Sequence, residues 1–431
     1  MTHRIMISLI VIAVLLTCPE VTGAQTSNER YAAGLKAIWN NVNETYFDTS
    51  FGGVDWQRVL DTYLPQAASA ESDQAFYTIA NKMLWELNVS HAALVPPGLF
   101  ATVEPVVFAP GGIGAAVRML DGEAVITSVD PESPAYAAGL RTGYVILAVD
   151  SIPIAQIEKE VRRDMPPRND RNRIAQVTKG LMGRIYGAPE TEVTVAFLDG
   201  KGETHQSRIT RTKRTGVAVG PGGRLFMAIE LRVKRLNDGI GYIGLNTLQP
   251  QLAPEIAAAI KSMGDLSGLI VDLRGNSGGE IEGMPDLFLP QKTLLFQRTT
   301  RDDRTEVFSD SSNAYYRGPL VVLIDAMTGS ASELLAACLQ ATKRAVLVGD
   351  RSPGSVTESD VMVLPTGAIF MYPVAQISTP DGKMLEGNGA TPDVEIGLTR
   401  EMLLQGKDSQ LDTAVTRIKQ EASGATQRAR Q

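Results

Sequence analysis

Between residues 226 and 400, short apolar runs alternate with amphipathic ones, and no other feature restricts the fold of this chain as tightly. Ile240 to Leu245, Leu269 to Leu273, Leu320 to Ile324 and Ala345 to Val348 have the length and apolar content of strands. Ala253 to Met263 and Ser330 to Lys343 space their apolar residues at helical intervals. Such strand–helix repetition predicts an α/β layer built on a largely parallel sheet. Strands dominate again from Val361 to Ile396, and residues 401–431 predict one helix with a polar end.

Two stretches of different character precede this layer. Residues 25–105 read as mostly helical, as in Tyr31 to Trp39 and Phe76 to Leu87, and end near Pro96-Pro97. Residues 108–213 read as short strands, Ala124 to Ile126, Val145 to Val149 and Thr191 to Leu198, between turns at Asp121-Gly122 and Arg141-Thr142-Gly143. A basic, polar segment from Glu158 to Lys179 interrupts them and predicts a helix with a solvated face.

Residues 1–24 have the pattern of an export signal. Arg4 gives a positive start, and Ile5 to Leu16 is purely apolar but shorter than the roughly 20 residues a membrane-spanning helix needs. Small residues at Thr22-Gly23-Ala24 suit cleavage after Ala24. A lipid anchor at Cys18 is disfavoured by Thr17 before it and Pro19 after it. The expectation is a periplasmic or extracellular mature chain with no transmembrane segment.

Composition excludes several chemistries. Lys+Arg number 41 against 48 Asp+Glu, and the net charge of -7 argues against nucleic acid as a partner. Cys18 and Cys338 are the only cysteines, so no disulfide framework or Cys-based zinc site can form. Cys338 lies in an apolar helical pattern and reads as an inert buried thiol. There is no G-x-x-x-x-G-K-[ST] or H-E-x-x-H motif. Of three histidines, His3 lies in the signal and His205 sits among polar residues as a surface side chain. His91, in Asn88-Val89-Ser90-His91-Ala92, is therefore nearly the only candidate for a histidine base. Neither metal nor cofactor is expected.

Two local segments can carry chemistry. Thr328-Gly329-Ser330-Ala331-Ser332-Glu333 follows a strand and opens a helix, where free N–H groups and the helix dipole stabilise negative charge. Ser330-x-x-Glu333 is equally a capping box. Asp272 to Gly279 is glycine-rich, and glycines let backbone N–H groups approach a ligand closely. A strand-to-helix turn needing positive φ explains those glycines as well.

Taken together, Val271-Asp272-Leu273-Arg274-Gly275-Asn276-Ser277-Gly278-Gly279, Gly329-Ser330-Ala331-Ser332-Glu333, Val348-Gly349-Asp350 and Gly389-Ala390-Thr391-Pro392-Asp393-Val394 resemble the S41 serine peptidases, the C-terminal processing and tricorn-like proteases. The resemblance spans about residues 80–400 and implies a crotonase- or ClpP-like α/β core at 226–400. Gly112-Ile113-Gly114-Ala115, Ser133-Pro134-Ala135-Tyr136-Ala137-Ala138-Gly139-Leu140 and Gly143-Tyr144-Val145-Ile146 resemble a PDZ domain, implied at 108–213. Gly112, Ile113 and Gly114 would then bind a peptide carboxylate, with polypeptides as the partners. A PDZ that only braces the core is the other possibility.

The resemblance divides over mechanism. Its Ser–Lys branch places the lysine at a position that is Ser355 here, and the glutamine four residues on is Ser359. Its tricorn-like branch uses Ser, His and Glu with a helper Ser before the His. By that pattern Ser330 is the nucleophile, His91 the base, Ser90 the helper, and Glu386 acts on His91 directly or through Ser90. Glu358 is a rival acid. Ala331 and Gly278 or Gly279 would supply the oxyanion hole. The implied activity is an exported serine endopeptidase acting on unfolded or C-terminal protein segments. The alternatives are a non-catalytic ligand- or peptide-binding protein, since the family includes retinoid-binding relatives, and a small-ester hydrolase. Oligomeric state stays open.

Overall fold

The computed structural model describes residues 27–164, 168–219, 225–310 and 316–429. The export signal, with Arg4, Cys18 and Ala24, lies outside the described residues. Among the described residues no helix is long and apolar enough to cross a membrane.

Three helices open the chain, α1 (Ser27–Thr45), α2 (Trp56–Ala68) and α3 (Asp73–Trp85). Asp55 and Ser72 cap α2 and α3, each accepting a backbone N–H three residues on. Their apolar faces pack together around Leu35, Trp56 and Met83. A short strand, β1 (Ala93–Val95), follows and is not part of a separate helical unit. It pairs with a strand from the far end of the chain, Ala93 opposite Met371. This pairing begins two residues after His91 and ties that residue to the core.

The next unit is an antiparallel sheet, β2 (Ala115–Leu120), β3 (Glu123–Val129), β4 (Val145–Val149), β5 (Glu192–Leu198) and β6 (Thr204–Thr210), joined in that order. The β2–β3 turn uses Asp121 and Gly122, both at positive φ (48° and 84°), as a tight hairpin requires. Between β4 and β5 lie α4 (Ile154–Asp164) and α5 (Asp170–Ile185). The expected single helix with a solvated face is thus two helices. The sequence between them carries Pro166 and Pro167, which have no N–H to continue a helical ladder. The face is also less solvated than expected: Ala175, Val177 and Thr178 are buried.

The parallel layer follows. Its sheet runs β7 (Leu231–Arg235), β8 (Ile240–Leu245), β9 (Gly268–Asp272), β12 (Leu320–Ile324), β13 (Val346–Gly349), β16 (Val394–Glu395), parallel throughout except for the β7–β8 pair. Helices α6 (Leu252–Ser262) and α7 (Ala331–Ala341) belong to this layer. A second sheet holds β10 (Leu294–Thr299), β11 (Arg304–Phe308), β14 (Glu358–Val363) and β15 (Ile369–Ser378), and takes in β1. Strand alternation splits the layer's core in two. Ile243, Val271, Val322 and Ile324 pack with α7 on one face, and Tyr242, Ile270, Val321 and Leu323 pack on the other.

That second face is covered by α8 (Ser409–Ala429), whose Ala414 and Ile418 are fully buried. The tail therefore packs on its own sheet, and it is two helices rather than the expected one. A short helix, Arg400–Leu404, precedes α8 and stops at Gly406, which stands at φ 72°.

Candidate active site

Neighbouring parallel strands set the site. β9 and β12 are hydrogen-bonded partners, and the loops leaving their carboxyl ends carry Asp272–Gly279 and Asp325–Ser330. Asp325 joins the two loops. Its Oδ1 accepts from Gly275 N at 3.0 Å and Met327 N at 2.9 Å, while Arg118 of β2 holds Oδ2 at 2.6 Å.

Ser330 stands at φ 53°, ψ −126°, outside the ordinary regions for a residue with a side chain. Conformations of this kind cost about 1–3 kcal/mol and persist only where surroundings enforce them. Here the Ser330 N–H donates to Ser355 O at 2.9 Å, Gly329 N–H to Asn276 O at 2.9 Å, and Thr328 Oγ1 to Leu273 O at 2.9 Å. The capping box expected of Ser330 and Glu333 is not formed: the Ser330 hydroxyl caps nothing. Glu333 instead turns inward beneath the 352–355 loop. It accepts from Ser352 Oγ (2.5 Å), Gly354 N (2.8 Å) and Ser355 N (2.7 Å). Burial pushes its carboxyl up to about 7, against those three donors. Glu333 thus shapes the loop whose Ser355 carbonyl clamps Ser330.

Gly278 lies directly against the Gly329–Ala331 segment. A Cβ there would sit 2.6 Å from Ser330 Cβ and 3.1 Å from Ala331 N. Its N–H is already donated to Asn276 Oδ1 at 3.0 Å, and that oxygen also accepts from Ser332 Oγ at 2.7 Å. Ser332 is fully buried in this contact and does not reach the cavity. Gly279 is exposed, and its N–H makes no hydrogen bond among the described residues. Ala331 opens α7, so its N–H belongs to the first-turn donors without an intrahelical partner.

Ser90, His91 and Glu386 meet although they are far apart in sequence. Glu386 Oε2 accepts from Ser90 Oγ at 2.8 Å, Val356 N at 2.8 Å and Thr357 N at 2.9 Å; Oε1 accepts from Ser90 N at 2.7 Å. Ser90 Oγ lies 2.8 Å from His91 Nδ1. Because Ser90 gives its one proton to Glu386, it meets the ring with a lone pair, so Nδ1 carries the hydrogen and Nε2 is left basic. The acid therefore reaches His91 through Ser90, the second of the two arrangements left open by sequence. His91 is at φ 57°, and its carbonyl accepts from Ser359 Oγ at 3.0 Å. Burial lowers its pKa; the Glu386 charge opposes this, and Lys179 and Arg168 add to it.

Ser330, Ser90 and His91 line one cavity of about 1110 Å³, together with Ser277, Arg168 and Ser355. No hydrogen bond joins the His91 ring to Ser330 among the described residues, a spacing common before substrate binds. The rival acid, Glu358, is engaged elsewhere, in a bidentate pair with Arg298 at 2.8–3.0 Å. His205 is exposed on β6 and bonds Asp199 at 3.0 Å, away from the cavity. Of the residues read as a carboxylate loop, Gly112 pairs with Thr212, Ile113 is buried in the core of the antiparallel unit, and Gly114 packs on Ser133 at φ 77°.

Sequence reasoning missed Arg168, Asp325, Asn276 and Glu333 as parts of the site. Arg168 bonds Glu386 Oε1 and donates to Ser355 Oγ at 2.8 Å. Burial pushes the Glu386 carboxyl up, but the Arg168 charge and the donors from Val356 and Ser90 hold it below the ordinary carboxylate value.

Residues 239–396 match peptidase family S41, residues 28–85 the tricorn protease C1 domain, and residues 125–163 a PDZ domain. The carboxyl-terminal-processing protease of Synechocystis sp. is 26% identical over 367 residues, covering 83% of this chain and 79% of that one. Among solved structures, the photosystem II D1 C-terminal processing protease superposes with a TM-score of 0.56 at 22% identity, covering 90% of this chain and 99% of its own. Mature CPAF superposes with a TM-score of 0.61 at 13% identity, covering 88% and 94%.

Proposed function

We propose that this chain, a serine peptidase of family S41 that carries a PDZ domain, is an exported endopeptidase that cuts unfolded or C-terminal protein segments with a Ser330–His91–Ser90–Glu386 site. The observation that carries this reading is the hydrogen-bonded relay from Glu386 through Ser90 to His91, opening on the cavity that Ser330 also lines.

The chemistry follows from the atoms. His91 Nε2 takes the Ser330 proton as Oγ attacks the scissile carbonyl carbon. The resulting oxyanion is held by the Ala331 N–H and a glycine N–H, of which Gly279 has the uncommitted one and Gly278 lies nearer. His91 then protonates the leaving amine, and an acyl-Ser330 ester remains. Water gives a proton to His91, attacks the ester, and releases the new carboxylate with Ser330 restored. Glu386 stays ionised throughout and stabilises the imidazolium through Ser90. The PDZ unit recruits the polypeptide by its carboxylate end or by an added strand.

The test is digestion of an unfolded protein by the purified mature chain, with products read by mass spectrometry. Wild type should cut, and Ser330→Ala and His91→Ala should each be inactive. Cutting that survives His91→Ala would assign the base elsewhere. Failure of every form to cut would favour a binding protein on this scaffold.

A further inference from the structure

Arg168 reaches the candidate site from a different unit of the fold, the segment joining α4 to α5. Its side chain and that of Glu386 are each only 14% exposed. The guanidinium spans two groups, Glu386 Oε1 on one side and Ser355 Oγ on the other. Asn169 pins the same segment: its Nδ2 donates to the carbonyls of Pro353 and Gly387 at 3.1 Å each, while its Oδ1 caps α5 at Asn172 N. Ser355 stands where the Ser–Lys pattern would have a base. A guanidinium cannot replace that base, because it does not give up its proton at any working pH. What it supplies is a permanent charge with a planar fork that fixes a carboxylate.

We propose that Arg168 is a positioning residue for catalysis: it keeps the Glu386 carboxylate charged and turned toward Ser90, and thereby sets the ring of His91 from outside the reacting groups. This role rests on the Ser330–His91–Ser90–Glu386 reading above. The groups facing this acid and base come from several elements. Tyr46, just past α1, and Glu333 of α7 sense the Glu386 charge, and Lys179 of α5 with Glu104, its partner at 2.6 Å, acts on His91. Of the two cations in this set, Lys179 has its own acid in Glu104, whereas Arg168 is committed to Glu386. Losing the Arg168 cation would let Glu386 protonate at higher pH and would remove a charge that disfavours imidazolium. Both effects move the acid limb of kcat/KM the same way, upward in pH.

The test uses the full chain and a peptide spanning a cut site found by the digest. Arg168→Gln should lower kcat/KM about 10–100-fold, as loss of an outer partner typically does, mainly in kcat. Its acid limb should move up by about half a unit or more. Arg168→Lys, which keeps the charge but loses the fork, should hold the wild-type limb while losing part of kcat. Arg171→Gln, whose guanidinium stands 3.7–3.9 Å from Glu395 and Asp350 at the surface, should match wild type in both. An Arg168→Gln limb coinciding with wild type would overturn the proposal, as would a moved limb in Arg168→Lys. The second criterion decides if the Gln variant does not fold. His91→Ala, run alongside, separates the two levels: its inactivity upholds the underlying reading whatever Arg168 does, and its activity sinks both.

Discussion

At the scale of single residues, the hydrogen bonds of the proposed site give each proton one place to be. Ser90 passes the influence of Glu386 to His91, so Ser90→Ala should lower kcat about 10–100-fold with KM nearly unchanged, measured on a cut-site peptide. Burial keeps His91 neutral below the ordinary imidazole value of about 6.5, so the acid limb of wild-type kcat/KM should lie below that pH. Glu333 has the opposite sign. Its carboxyl, near 7 in the folded chain and about 4.3 when unfolded, binds its proton more tightly in the native state. Its contribution is therefore fully present below about pH 4.3 and lost as pH rises through 7, by roughly 4 kcal/mol in all. Urea midpoints between pH 5 and 8 should fall more steeply for wild type than for Glu333→Gln. His91 was legible as a candidate because a histidine-poor chain leaves few bases to choose from, and Ser90 and Glu386 because the sequence around them resembles the tricorn-like pattern. Whether Glu386 touches the ring or its helper was not, since that depends on which loop closes over which. Arg168 was hidden by its company: in a run of basic residues nothing marks the one that turns inward, although Pro166-Pro167 marks the break beside it.

Among the elements, the parallel strands were legible because a strand buried on both faces is written as an unbroken apolar run, as in Leu320–Ile324. The tail was misread because a single Gly, Gly406, splits one apparent helix into two. Close approaches between elements set sharper limits than propensity does. Gly278 at φ 107° abuts Ser330, so Gly278→Ala should abolish cleavage while leaving the far-ultraviolet circular dichroism unchanged. Ile418 of α8 lies on Gly268 of β9 with no exposed surface. Ile418→Ala should cost about 3 kcal/mol, read as a lower urea midpoint, by lost burial and the cavity left behind.

Over the whole molecule, the PDZ unit is fastened to the parallel layer by two arginines that each end on a largely buried carboxylate: Arg118 on Asp325 and Arg168 on Glu386. Arg118→Leu would leave Asp325 buried without its partner, a loss of about 3–5 kcal/mol. Amide exchange in residues 115–120 and in the 272–279 loop should rise together in that variant; exchange rising in only one of them would break the link. The same long reach has a consequence for how the enzyme comes into being. Ser90 and Glu386 are 296 positions apart, with Ser330 between them. Closing a loop of that length costs roughly 5 kcal/mol in chain entropy, which packing must supply before the relay exists. A growing or threading chain has His91 early and Glu386 last. On the proposed reading an incomplete copy lacks the relay, so completion of folding is itself the step that arms the site.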